Sequence, residues 1–266
     1  MKERIRFVRA LSSVVGERIA DNFDSKVQGL NLYEYRRARR IIDLSIRGIK
    51  VKPIPEFLGE GKGAILVSNY PSVFETSKAA IIIGSRLPGD EPRLKVIARE
   101  EIITEANLLL KAIGIDKFVF PAQKDETGTY KLQDKLEDIL EHLAGSGHVL
   151  WLSITGETEG NGLLEENLRT GAAWFAQESQ APIVPMGIIT KERKGKKKAA
   201  EVVFGEPIIV PKIEGLRWLK NTYLLIDYSK LVSCQIAALL PRGQRGSYEE
   251  VEEKLSTINK RIESYG

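Results

Sequence analysis

The sequence predicts an α/β protein: a mostly parallel sheet flanked by helices, with helical additions at the N-terminal and C-terminal ends. Three observations predict it. From Lys50 onward, short runs rich in Val, Ile and Leu alternate with longer stretches of helical periodicity, the alternation expected of βαβ units. Runs such as 63–68 are apolar at nearly every position, as strands covered on both faces are. No repeat or low-complexity linker divides the 266 residues, a length that one large core can organise.

Residues 1–48 form the first unit, an N-terminal helical segment. Ile5, Val8, Leu11, Val15 and Ile19 recur at helical spacing among Arg4, Arg6, Arg9 and Arg18. A second amphipathic stretch, 31–47, carries Leu32, Tyr35, Ile42 and Ile46 beside Arg36, Arg37, Arg39 and Arg40. Two readings fit this pair: helices packed on the body with a solvated basic face, or a platform for anionic lipid, where each basic residue adds about 1 kcal/mol.

Residues 49–266 form the α/β domain with its C-terminal helices. A buried strand over 63–68 leads into the turn Asn69-Tyr70-Pro71-Ser72, followed by a helix from Thr76 to Leu87 that Pro88-Gly89 stops. Strand 94–98 and helix 102–113 come next, then strand 118–120, ended by Pro121. Apolar residues at Leu132, Leu136, Ile139, Leu140 and Leu143 predict a helix over 130–144. Strand 148–154, helix 171–179, strands 181–189 and 201–210 and helices over most of 216–240 and 248–263 complete the domain. A Lys/Arg-rich loop at 191–198 joins the last two strands.

Composition bounds the function classes. With 42% hydrophobic and 29% charged residues and a net charge of +4, the chain is an ordinary globular protein, suited to an anionic partner without specifying one. The single cysteine, Cys234, excludes an internal disulfide framework and argues against a structural zinc site. The longest apolar runs fall far short of the ~18 residues of a spanning helix, and the Met-Lys-Glu-Arg start lacks a leader pattern, so a cytoplasmic protein is expected, with peripheral contact to the cytoplasmic membrane face left open. A nucleic-acid partner is not expected, because the basic residues are not interleaved with aromatics as a stacking platform needs.

Four blocks, in order, carry a resemblance. The first is Val67-Ser-Asn-Tyr-Pro-Ser-Val-Phe-Glu75; the second is Lys95-Val-Ile-Ala-Arg-Glu-Glu101 through Phe118-Val-Phe120. The third is Trp151-Leu-Ser-Ile-Thr-Gly-Glu-Thr-Glu-Gly160. The fourth joins Leu168-Arg-Thr-Gly-Ala-Ala173 to Ala181-Pro-Ile-Val-Pro-Met-Gly187. Over about 45–250 the chain resembles the phospholipid/glycerol acyltransferase family, whose signature Asn-His-x-x-x-x-Asp supplies a histidine general base and an aspartate that orients it. Here Tyr70 stands at the histidine position and Glu75 at the aspartate position, while Asn69 and Ser72 match in place. The family's arginine after the third strand is absent, leaving Lys117 or Lys124, and the third block keeps Thr155, Gly156 and Thr158 without the family's Pro-Glu-Gly core.

The resemblance implies acyl transfer from acyl-CoA or an acyl-carrier protein, with no bound cofactor or metal, to a glycerol-phosphate or lysophospholipid hydroxyl. Tyr70 and Glu75 are then the catalytic pair, and Asn69, Ser72, Lys117, Thr155, Gly156 and Thr158 contact substrate. The chemistry resists this. A histidine with a pKa of about 6.5 is an available base at pH 7, whereas a phenol with a pKa of about 10 is ionised in only about one part in a thousand. The alternative is therefore an inactive acyltransferase-fold protein that binds lipid or regulates a partner. Tyr70 is either a plug in a dead site or a substrate contact, and Glu75 is placed to hydrogen-bond its hydroxyl. His142, read as a surface or boundary residue, and His148, leading into a strand, are poor replacements. Loop 191–198 is a solvated tip or a site for anionic lipid or coenzyme A phosphates.

Overall fold

The structure, a computed structural model, describes residues 49–265 apart from 59–60, 62, 72, 88–92, 102–118, 125–129, 155–162, 165–168, 194–195 and 214–217. The N-terminal segment 1–48 and the helix expected over 102–113 thus lie outside the described residues. The elements are β1 (Lys50–Val51), β2 (Ala64–Ser68), α1 (Val73–Arg86), β3 (Leu94–Arg99), β4 (Val119–Lys124), β5 (Tyr130–Lys131) and α2 (Leu136–Ala144). They continue with β6 (Val149–Ser153), α3 (Gly171–Ser179), β7 (Ile183–Arg193), β8 (Lys196–Phe204), α4 (Trp218–Leu239) and α5 (Val251–Glu263).

The strands stand in the order β1-β8-β7-β2-β6-β3-β4-β5. The central five, β7-β2-β6-β3-β4, are mutually parallel; β8 turns back antiparallel on β7, β1 runs along β8, and the two-residue β5 runs antiparallel to the end of β4. This is the α/β, mostly parallel arrangement that the alternation of short and long segments predicts.

Side chains alternate between the two faces with the period of two that a strand imposes. Ala64, Leu66, Val149, Trp151, Val184 and Met186 face α1, meeting Ala79, Ile83 and Leu87. Ile65, Val67, Leu150, Leu152 and Ile183 face the other way, onto Ile139 and Leu143 of α2, Ala173 and Phe175 of α3, Leu224 and Val232 of α4 and Ile258 of α5. Covering on both sides explains why β2 and β6 read as continuous apolar runs.

Four elements differ from the sequence expectation. The strand expected over 201–210 ends at Phe204, with Ile208 forming only an isolated bridge to Ile183. β4 continues through Pro121 to Lys124, because β4 pairs with β3 along one side, while on the other β5 reaches only Gln123 and Lys124. A proline without an N–H is tolerated where one side of a strand lacks a partner. The helix expected from Tyr130 begins only at Leu136, since Tyr130 and Lys131 are drawn into pairing with Lys124 and Gln123. Most of the span expected as a basic loop, 191–198, is strand: β7 continues to Arg193 and β8 begins at Lys196, the two paired to Arg193↔Lys196.

Topology positions the site. The chain leaves β2 for α1 on one face of the sheet, while after β6 the next described helix, α3, lies on the other face. β2 and β6 are neighbours. Where adjacent parallel strands send their connections to opposite faces, a crevice opens at their carboxyl ends, the usual ligand position in open α/β sheets.

Candidate functional site

The carboxyl edge at β2 and β6 gathers Asn69, Tyr70, Glu75 and Thr76 from the first block and Arg99 from the end of β3. Asn69 directly follows β2 and is buried. Its side-chain amide donates to the Ile188 carbonyl (3.1 Å), and its oxygen accepts from the Ile188 N–H (2.7 Å). Asn69 therefore stitches the end of β2 to β7, occupying polar groups that substrate contact would need. Ser68 Oγ accepts from the Trp151 indole N–H at 2.9 Å, locking the end of β2 to β6.

Tyr70 follows Asn69 at the same carboxyl edge. Burial pushes its phenol up to about 12, and the Arg99 guanidinium pulls weakly the other way. Among the described residues its hydroxyl has no hydrogen-bond partner, so the bond from Glu75 expected from the sequence is not formed. At a pKa of about 12 the phenolate is roughly one part in 10⁵ at pH 7. Tyr70 is therefore a hydrogen-bond donor at neutral pH and not a proton acceptor.

α1 starts at the same edge, with Glu75 in its first turn and only 4% exposed. Thr76 follows, spaced with Ala79 and Ile83 on the face that meets the sheet, and is 8% exposed. Its Oγ1 is the one buried side-chain polar atom among the described residues without a hydrogen-bond partner. Leaving such a group unsatisfied costs about 1–3 kcal/mol. A hydrogen bond thus remains unspent near the start of α1.

Arg99 is the cation that sequence reasoning missed. Attention went to Lys117 and Lys124 near the end of β4, where the resemblance places an arginine. Lys124 is exposed at the end of β4, whereas Lys117 lies outside the described residues, as do Ser72, Thr155, Gly156 and Thr158. The signal for Arg99 was its position just after the strand expected over 94–98, at the end of β3 in the parallel set.

The histidines sit at the opposite edge. Ala64 N–H donates to the His148 carbonyl at 2.9 Å, so His148 marks the amino end of β2, up to about 20 Å along an extended chain from Tyr70. His142, expected at the surface, is buried at 6% exposure. Its Nε2 donates to the Val149 carbonyl (3.2 Å), and His148 Nδ1 donates to the His142 carbonyl (3.0 Å). The rings stack at 4.6 Å, with Phe120 edge-on to His142 and the Lys95 ammonium 4.6 Å from the Phe120 ring centroid. Burial drives the His142 imidazole down to about 4, the Val149 hydrogen bond opposing and the His148 and Lys95 charges reinforcing the shift. Neither histidine reaches the crevice.

Among the described residues no helix is long and apolar enough to cross a membrane, and no group of three or more potential metal ligands occurs. Comparison with protein-family models, curated proteins and solved structures finds no match to this chain.

Proposed function

We propose that this chain is a glycerophospholipid acyltransferase-like α/β protein that binds a phosphate-bearing glycerolipid, such as a lysophospholipid, at the β2/β6 crevice without transferring an acyl chain. The observation that carries the reading is Tyr70: a phenol held protonated at the carboxyl ends of parallel strands, with the Arg99 cation nearby. A donor and a cation suit an anionic oxygen, and neither removes a proton from a hydroxyl. The unspent hydroxyl of Thr76 supports ligand binding at the same edge.

Acyl transfer from acyl-CoA or acyl-carrier protein is the second reading, and Glu75 is what favours it. Its buried carboxyl sits one turn into α1 at this edge, the only carboxyl group of the first block.

Titrating a monomeric short-chain lysophosphatidate into the full chain, alongside a thiol-release assay with long-chain acyl-CoA, tests both readings. The binding reading expects saturable binding, weakened about tenfold in Arg99→Gln because a charge-assisted hydrogen bond is lost, with no thiol release above background. Thiol release that disappears in Glu75→Gln would establish the second reading instead. Absence of lysophosphatidate binding would remove the first.

A further inference from the structure

The β7–β8 hairpin leaves the sheet as a two-stranded ribbon at the same edge as Tyr70. β2 pairs with β7 only as far as Ser68↔Met186, yet β7 continues to Arg193, roughly 24 Å further at strand rise. Beyond Met186 two side-chain amides replace β2 on that edge. Asn69 bonds the N–H and carbonyl of Ile188, and two residues on, Gln244 does the same for Thr190, accepting at 3.0 Å and donating at 2.6 Å. The ribbon is thus braced up to Thr190, and the paired positions Lys191–Arg193 and Lys196–Lys198 lie past the last brace.

This part is unusually charged. The sequence over 191–198 holds six basic residues and one acid, net +5, while the whole chain is +4; all remaining residues together are therefore −1. The register sets Lys191 opposite Lys198 and Arg193 opposite Lys196, with Glu192 opposite Lys197 as the single opposed pair. Like charges facing each other across strands destabilise a hairpin. A dense anionic surface relieves the repulsion of both like-charged register pairs.

We infer that the basic ribbon formed by Lys191–Arg193 and Lys196–Lys198 is the surface by which this protein docks on an anionic phospholipid bilayer, presenting the Tyr70 edge to the headgroups. The inference extends the lipid-binding reading, but its test needs no ligand in the crevice. Co-sedimentation of the full chain with phosphatidylglycerol/phosphatidylcholine vesicles and with pure phosphatidylcholine vesicles is the measurement. Wild type should bind only the anionic vesicles, and binding should fall as salt shortens the Debye length from about 10 Å at 0.1 M to about 3 Å at 1 M.

A variant with Lys191, Lys196, Lys197 and Lys198 all changed to Gln should bind at least tenfold less, since each basic residue near such a surface is worth roughly fivefold. The same four positions changed to Arg should bind as wild type, which separates loss of charge from a misfolded hairpin. Two further variants carry rival surfaces: Trp218→Ala/Tyr223→Ala, from the exposed aromatic patch opening α4, and Arg36→Gln/Arg37→Gln/Arg39→Gln/Arg40→Gln. Unchanged binding in the ribbon Gln variant, loss confined to either rival variant, or equal binding to neutral vesicles would each overturn the inference. Soluble lysophosphatidate binding, measured on the same variants, should be unaffected; its failure with intact vesicle docking would condemn the crevice reading alone.

Discussion

The two edges of the sheet are built on opposite principles. At the amino edge every polar group described is spent. His142 and His148 each donate to a backbone carbonyl, their rings stack, and Gly63 and Gly145 are glycines because a Cβ would collide with the Leu143 backbone and the His148 ring. At the carboxyl edge Tyr70 has no hydrogen-bond partner among the described residues, Thr76 Oγ1 is orphaned, and the ribbon sets like charges opposite one another. The difference teaches that residue type alone misleads: the imidazoles, the best general bases in the chain, are structural, and the edge with unspent interactions contains none among its described residues.

The comparison breaks most directly at His142. His142→Ala removes a buried ring from the Phe120–His148 stack and leaves the Val149 carbonyl without its side-chain donor. A loss of about 3–4 kcal/mol in urea denaturation is expected. Lysophosphatidate affinity of the remaining folded protein should be unchanged. An affinity loss matching that of Arg99→Gln would show that the two edges are not separate.

pH sharpens it, because the edges respond in opposite directions. His142 is held neutral, with its pKa lowered from 6.5 to about 4. Its contribution is fully present above pH 6.5 and is lost as pH falls through 6.5 towards 4, by roughly 3 kcal/mol. Tyr70 is raised from 10 to about 12, so its contribution is intact through neutral pH and is lost as pH rises from 10 through 12. Denaturation midpoints across pH should therefore show an acid limb that flattens in His142→Phe. Phenol absorbance titration should show an alkaline step near 12 that Tyr70→Phe removes while Tyr228 and Tyr265, also raised by burial, remain.

Asn69→Ala should cost about 1–3 kcal/mol, since both the N–H and the carbonyl of Ile188 lose their partner in a buried position. The position resembled a substrate contact in the sequence because an Asn after a strand looks the same whether it faces ligand or a neighbouring strand. Only the register of β2 against β7 decides, and that register joins residues 119 apart. The same limit applies elsewhere. The apolar runs of β2 and β6 and the apolar spacing of α2 were legible because they are local. The pairing that takes Tyr130 from a helix, the partly unpartnered edge that admits Pro121 and the hairpin that absorbs most of 191–198 all depend on distant strands. Arg99 was legible only as the residue just after the strand expected over 94–98, since its proximity to Tyr70 depends on the order β2-β6-β3.

The smallest effect falls on Thr76. Thr76→Val keeps the branched shape at Cβ and removes the orphaned hydroxyl. Both residues have similar helix propensity, so α1 itself is indifferent to the exchange. In a finished core, Thr→Val usually breaks a hydrogen bond and costs stability; here no such bond exists to break. The ligand-free protein should therefore gain up to about 1 kcal/mol, because a buried polar group is no longer left unsatisfied. Where the hydroxyl bonds the headgroup, the same change should weaken lysophosphatidate by about fivefold, the worth of one neutral hydrogen bond. Opposite signs for stability and affinity in one variant are the mark of a group reserved for ligand. A stability loss would mean that Thr76 Oγ1 has a structural partner, and the carboxyl edge would then be as fully spent as the amino edge.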